Sequence, residues 1–265
     1  MSSQSRTIVA SKPGRQPIQV TRSTSPSAIQ GVATTITKAF MTDPITTYML
    51  NHVPWHLRRA AMYHMHIIST TAARHHGFLY EASVLDDPNA TPASPPTASK
   101  YHAAAVVFPP GHNLDNMSNL TWTRISLSRQ MLLFLWYCGA SSFVRKSHWN
   151  TAVEPAKRAA LPNGETYFYV MEIGTDERFR GKGLAPALIA DVQVAAQQAM
   201  KPIWLEASNL GARAVYTKCG FVDVDAEVVV GKGECDASGE QATGEEAVGV
   251  KLWPMIWRPE GYKKV

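Results

Sequence analysis

Apolar side chains recur along this chain at two periods, and the switches between them mark out its elements. Ala28, Val32, Ile36 and Phe40 stand four residues apart, the spacing of one helix face. They predict an amphipathic helix over residues 27–41, entered through the turn and cap chemistry of Ser25-Pro26-Ser27 and ending near Asp43-Pro44. After a short apolar run at Ile45 to Leu50, Leu57, Ala61, Met65 and Ile68 predict a second helix from Trp55 to about Arg74. Further helices are expected over residues 119–138, 151–160, 183–200 and 210–218. Pro186 is compatible with the third of these because it falls in the first turn, where its missing N–H is not needed.

The second period is two, and it reads as strands at residues 17–21, 78–83, 101–108, 167–175, 202–207, 221–230 and 248–257. Pro254 favours an edge position or a bulge for the last. Along residues 167–175, alternation puts Tyr167, Tyr169 and Met171 on one face and Phe168, Val170 and Glu172 on the other. Interleaved strands and helices without an internal repeat predict a mixed α/β sandwich. Residues 1–16 read as a flexible tail and 17–265 as one domain. Three segments of that domain look variable: the proline-rich 86–99, then 111–160, and the Gly/Glu-rich 231–247.

At 265 residues and 45% hydrophobic content the chain can bury a sizeable core. Its formal charge of +5 is unevenly spread. Residues 1–60 hold seven Lys or Arg and only Asp43 as an acid, whereas residues 223–246 hold eight acids and only Lys232. Such a surface suits a polyanionic small molecule. It lacks the basic stripes with interleaved aromatics that would argue for a nucleic-acid partner. Cys138, Cys219 and Cys235 are too few and too scattered for a disulfide framework or a paired-cysteine metal site. The longest apolar stretch, Met131 to Ala140, is too short to cross a bilayer. With no export signal apparent, a cytoplasmic protein with no membrane partner is expected.

Chemistry first becomes specific at Arg180-Gly181-Lys182-Gly183-Leu184-Ala185. The two glycines allow close backbone approach, and N–H groups from Gly181 to Ala185 at a helix start form an anion cradle, with Arg180 and Lys182 adding positive charge. Taken alone, the same run also reads as a solvated, glycine-rich helix entrance. It lacks the Gly-Lys-Ser/Thr ending of a mononucleotide loop and the third glycine of a dinucleotide fingerprint. The stretch Thr175 to Ala185, followed after one helix by Trp204 to Phe221 with Asn209, Ala212 and Tyr216, resembles the cofactor-binding core of the GCN5-related N-acetyltransferase superfamily. The resemblance covers about residues 165–222; Glu177 departs from the proline often found in this part of the pattern.

That resemblance implies an acyl-coenzyme A N-acyltransferase fold, with a mixed, mostly antiparallel central sheet flanked by helices. It implies acetyl-coenzyme A as co-substrate and no metal. Residues Ile173, Gly174 and Thr175 would lie on a splayed strand beside the pantetheine arm, with a backbone N–H near Ile173 or Gly174 polarising the thioester carbonyl. Asn209, Ala212 and Tyr216 would lie across from them, and Tyr216 would protonate the departing sulfur. An amine acceptor also needs a base. Glu172 is the first candidate; Glu165, Glu206 and Asp176 stand behind it, and water alone is a further option. Asn209 is equally suited to cap its helix, and Cys219 to pack rather than react. His64, His66, His75 and His76 form no metal-ligand spacing. Asp43, Thr46, Tyr48, Trp136, Tyr137 and Trp253 are candidates for the amine pocket. The expected reaction is direct acetyl transfer to a primary amine, on a small molecule. A protein N-terminal or lysine acetyltransferase and a non-catalytic coenzyme A-binding module are the alternatives. The oligomeric state stays open, a homodimer included.

Overall fold

A computed structural model describes residues 4–8, 16–85, 100–114, 116–224 and 228–263. Its centre is a nine-stranded sheet. The strands are β1 Gln4–Ile8, β2 Ile18–Ser23, β3 Phe78–Val84, β4 Ala103–Phe108, β5 Phe168–Thr175, β6 Ile203–Ala207, β7 Val222–Asp223, β8 Val228–Val230 and β9 Val250–Trp257. The order is β1-β2-β3-β4-β5-β6-β9-β7, with β8 also on β9. Every pairing is antiparallel except β5 with β6. This is the mixed, mostly antiparallel sheet flanked by helices that the resemblance implied.

Alternation along β4 divides the molecule into two layers. Ala103, Ala105 and Val107 face a core completed by Leu184, Leu188 and Val192 of α7 (Leu184–Ala199), with Tyr216 of α8 (Leu210–Lys218) at its edge. Ala104, Val106 and Phe108 face the opposite core. That side holds α1 (Ala28–Ala39), α2 (Pro44–Leu50), α3 (Trp55–His76), α4 (Asn119–Ser126), α5 (Arg129–Cys138) and α6 (Ser141–Ala160). Ala28, Val32 and Ile36, three of the four periodic residues, are buried there, and Phe40 at the end of α1 packs against them. The α2 run becomes a helix because Asp43 caps it, accepting from Thr46 N–H at 3.1 Å, with Pro44 in the first turn.

Five expectations change. The single helix over 119–138 is two, because Leu127 ends α4 and the Ser128 side chain caps α5 by accepting from Met131 N–H. The helix expected at 151–160 extends back to Ser141, with Pro155 inside it. The strand expected at 221–230 is two short pieces. Strand β9 is interior rather than an edge. Pro254 fits because its carbonyl accepts from Val224 N–H, so the missing donor faces the side where the ladder passes from β7 to β8. Finally, residues 4–8 of the expected tail form β1 against β2. The other tail residues before Gln16, and the 86–99 segment, lie outside the described residues.

Candidate active site

The parallel pair opens like a fork. Strands β5 and β6 are in register only at Phe168 with Ile203 and Tyr169 with Trp204, although β5 runs on to Thr175 and β6 to Ala207. On the other side of β5, Asp176 N–H reaches the His102 carbonyl at 2.9 Å. Strand alternation therefore turns the N–H groups of Ile173 and Thr175 into the opened gap. Gly174 is needed where it stands, since a Cβ there would come within 2.6 Å of the Ala39 side chain.

The fork leads to the glycine turn. Asp176 caps a 3-10 turn at Glu177–Phe179 and holds the Arg178 guanidinium at 2.8 Å. Phe179 stacks on His102 with ring centroids 3.6 Å apart, which anchors the turn to the sheet. Gly181 (φ 77°) and Gly183 (φ 88°) then take left-handed conformations. The space beside Gly181 is open, and α7 starts at Leu184 with first-turn N–H groups that have no partner inside the helix. Arg180 and Lys182 are exposed beside it. These residues fit an anionic, phosphate-bearing group.

Across the fork, Asn209 caps α8 by accepting from Ala212 N–H at 2.9 Å. Tyr216 is buried, and burial above all, then the Asp43 charge, holds its phenol well above the ordinary range. Asp43 is itself buried; it accepts from Ser208 Oγ and from Thr46. Burial outweighs those bonds and raises its pKa. Asp43 thus joins the start of α2 to the end of β6, next to the phenol.

On the face of the sheet opposite α7, the decisive feature is a bulge. Val106 pairs with Glu172 but Val107 pairs with Val170, so Met171 is an extra residue in β5. Simple alternation grouped Glu172 with Phe168 and Val170; the bulge instead turns Met171 and Glu172 to the same side. Phe168, Val170 and Ile173 remain with the α7 core. Met171 and Glu172 line a cavity of about 320 Å³ whose other walls include Phe40, Met65, Trp122 and Phe134. Glu172 accepts from Ser69 Oγ at 3.1 Å, and burial pushes its carboxyl up to about 8.

His66 lines the same cavity. Thr37 Oγ1 donates to the Ala33 carbonyl at 2.7 Å, so toward His66 Nδ1, 3.0 Å away, it must accept. The imidazole is therefore protonated at Nδ1 and presents Nε2 as an acceptor; burial pushes its pKa down to about 3 and keeps it neutral. Met171 also borders a larger, more open cavity of about 970 Å³ containing Tyr169, Lys157 and Glu206.

The other candidates are accounted for structurally. Arg178 beside Asp176 holds that carboxyl down at about 2. Glu165 accepts from Tyr262 Oη. Glu206 accepts from Tyr169 Oη at 3.0 Å and Trp204 Nε1 at 2.5 Å, with burial raising its pKa. Cys219 packs against the α7 core, and burial raises its thiol. No metal-holding cluster of His, Cys, Asp or Glu occurs among the described residues.

Of the expected amine-pocket residues, Thr46 lines the smaller cavity and Asp43 caps the helix beside it. Tyr48 is buried elsewhere, bonded to His148 and Glu234 at 3.3 Å each. Trp136 is 84% exposed, Tyr137 stacks on His64, and Trp253 packs on the α7 core. Segment 111–160 does wall the cavities, whereas Asn51 and Arg58 tie 231–247 to the α2–α3 region through Gly239 and Glu240. Ser69, His66 and Ser208 were missed. A signal existed for two of them: Met62, His66, Ser69 and Ala73 share one buried helical stripe, and polar residues in such a stripe mark a site.

Residues 130–221 match the family model described as Acetyltransferase (GNAT) family. Among solved structures, an insect protein designated arylalkylamine N-acetyltransferase 7, from the yellow fever mosquito Aedes aegypti, is 10% identical with a TM-score of 0.60. That alignment covers 97% of this chain and 93% of the mosquito chain. A structure designated histone acetyltransferase HPA2 and related acetyltransferase, from Corynebacterium glutamicum, is 15% identical with a TM-score of 0.54, covering 93% and 98% of the two chains. At these identities the likeness is one of fold. No curated protein sequence matches the chain.

Proposed function

The chain belongs to the acetyltransferase (GNAT) family, and from that premise we propose that it transfers the acetyl group of acetyl-coenzyme A to a primary amine of a small molecule, by direct attack with both substrates bound. One observation carries the acceptor half of this reading: a buried carboxyl, Glu172, stands in the wall of a largely apolar cavity beside the opened edge of β5. A cavity of about 320 Å³ favours a small amine over a protein surface.

Acetyl-coenzyme A supplies an activated carbonyl and a thiolate leaving group. The N–H groups from Gly181 to Ala185, with Arg180 and Lys182, hold its pyrophosphate. The free edge of Ile173, Gly174 and Thr175 holds the pantetheine arm, with Asn209 and Ala212 across the fork. Ile173 N–H polarises the carbonyl. Glu172, ionised, takes the proton from the incoming ammonium, while His66 Nε2 accepts a hydrogen bond from it and fixes its direction. Tyr216 keeps its own proton until the sulfur departs.

Purified protein incubated with acetyl-coenzyme A and a panel of primary amines should release free thiol and an equal amount of acetylated amine. Thiol release without any acetylated amine, or faster turnover of peptide N-termini than of small amines, would displace this reading. Gly183→Val places a β-branched residue in a left-handed conformation, at a cost of about 1–2 kcal/mol. It is expected to weaken coenzyme A binding in calorimetry, leaving the affinity of the acceptor unchanged.

A further inference from the structure

The helices opposite α7 carry a charge imbalance that the reaction does not use. From residue 44 to 80 and from 116 to 153 the chain holds seven Lys or Arg and no Asp or Glu. Because the whole chain is +5, everything else is net −2. These stretches include α3, α4 and α5, which pack on one another. Arg58 is neutralised by Glu240, and Arg145 turns onto Tyr48 and His52. Arg124 and Arg129 are exposed, and His75 beside Arg124 is exposed too.

The same helices are apolar where a water-facing helix is ordinarily polar. Leu120, Arg124 and Leu127 share one exposed stripe of α4; Arg129, Leu132 and Trp136 share one of α5. Trp136 is 84% exposed, Leu127 79% and Leu132 64%. Of thirteen large apolar side chains exposed among the described residues, seven lie within residues 120–144. Such concentration marks an interaction surface.

We propose that the outward face of α4 and α5 docks on an anionic lipid surface, with Leu127, Leu132 and Trp136 entering the headgroup boundary and Arg124 and Arg129 meeting the lipid phosphates. Interfacial helices combine an apolar stripe with flanking basic residues in this way, and tryptophan favours that depth. No described helix is long and apolar enough to cross a membrane, and helices lying in the interface plane need not be. A symmetric contact with a second copy fits the charge poorly. It would set Arg124 and Arg129 against their own images, with no carboxylate in either stretch to separate them. The inner faces of these helices supply Trp122, Met131 and Phe134 to the smaller cavity, so docking places the acceptor side of the protein against the lipid.

The full chain is floated with vesicles of phosphatidylcholine alone and of phosphatidylcholine with phosphatidylserine. Binding is expected only to the anionic vesicles and should fall with added salt. Arg124→Glu with Arg129→Glu should weaken it at least roughly thirtyfold, the product of two basic contacts at a lipid surface. Leu127→Glu with Leu132→Glu should abolish it, and the circular dichroism of both variants should match the wild type. Equal binding to both vesicle types, or none, overturns the proposal. So does a dimer in sedimentation that the leucine variant dissolves without any vesicle binding, which assigns the face to a second copy. Capture by polyglutamate but not by vesicles overturns it in favour of an acidic protein.

Discussion

Glu172→Gln is expected to lose turnover by about 10²–10⁴-fold, the usual worth of a positioned base, and yet to be more stable than the wild type above pH 8. The two effects share one cause. Burial pushes the Glu172 carboxyl up to about 8 from its ordinary 4.5, with the Ser69 hydroxyl pulling weakly the other way. Between those pH values the folded chain holds a proton that the unfolded chain has released, so stability falls as pH rises through this window. Glutamine never ionises, and its carbonyl can still accept from Ser69. Thermal unfolding should therefore show wild type and variant alike near pH 4, and the variant ahead at pH 9. In the wild type, kcat/KM should climb as pH approaches 8, because only the ionised carboxylate can take a proton. An active Glu172→Gln enzyme would move the base to water or to Glu206. A variant less stable at pH 9 would mean that the carboxylate has a partner compensating its charge.

The geometry of the glycine turn and of the asparagine-capped helix was legible in the sequence and the surroundings of Glu172 were not, for a physical reason. Everything from Thr175 to Ala185 and from Asn209 to Tyr216 is local: left-handed glycines, a helix start and an asparagine cap are specified within a few residues of one another. The direction of Glu172 is set by a different strand. Reading β5 alone gives perfect alternation, and only its pairing with Val106 and Val107 reveals the extra residue that turns the carboxyl over. The cavity is less local still, since His66, Ser69, Trp122 and Phe134 come from three helices and Phe40 from the end of a fourth, and no periodicity encodes how these pack. The break at Leu127-Ser128 hid for a related reason. The apolar residues continue through it, and only the Ser128 cap on Met131 N–H ends one helix and starts the next.

What the two acids beside the fork have in common is burial, and it gives them opposite duties. Asp43 is held by Ser208 and Thr46 and spans from α2 to the end of β6, so it serves as a fixed strut. Glu172 has one hydroxyl partner and a cavity in front of it, so in the proposed reaction its proton is the one that moves. His66, neutral and locked in one tautomer by Thr37, adds a permanent acceptor at the same wall. Under the proposed reaction, an alkylammonium ion arriving there would meet a carboxylate and an imidazole lone pair, both acceptors, in a cavity whose walls are mostly apolar.

Tyr216→Phe should cut kcat by about 10²–10⁴-fold while leaving coenzyme A affinity and the shape of the pH profile unchanged. The ring stays packed against Phe221, 6.0 Å between centroids, so the substitution removes the hydroxyl and little else. Burial and the nearby Asp43 charge both disfavour the phenolate, so Tyr216 keeps its proton throughout the pH range in which Glu172 titrates. A group that never ionises there can donate but cannot shape the pH dependence, and its loss should scale every point of the profile by the same factor. Glu172→Gln, in contrast, should flatten that profile. The identity of the leaving group supplies the sharper test. A thiolate that is already stable needs no proton, so an aryl thioester donor should recover most of the rate that Tyr216→Phe loses with acetyl-coenzyme A. An equal loss with both donors would make the tyrosine a positioning residue for the acyl chain, and the departing sulfur would then take its proton from water.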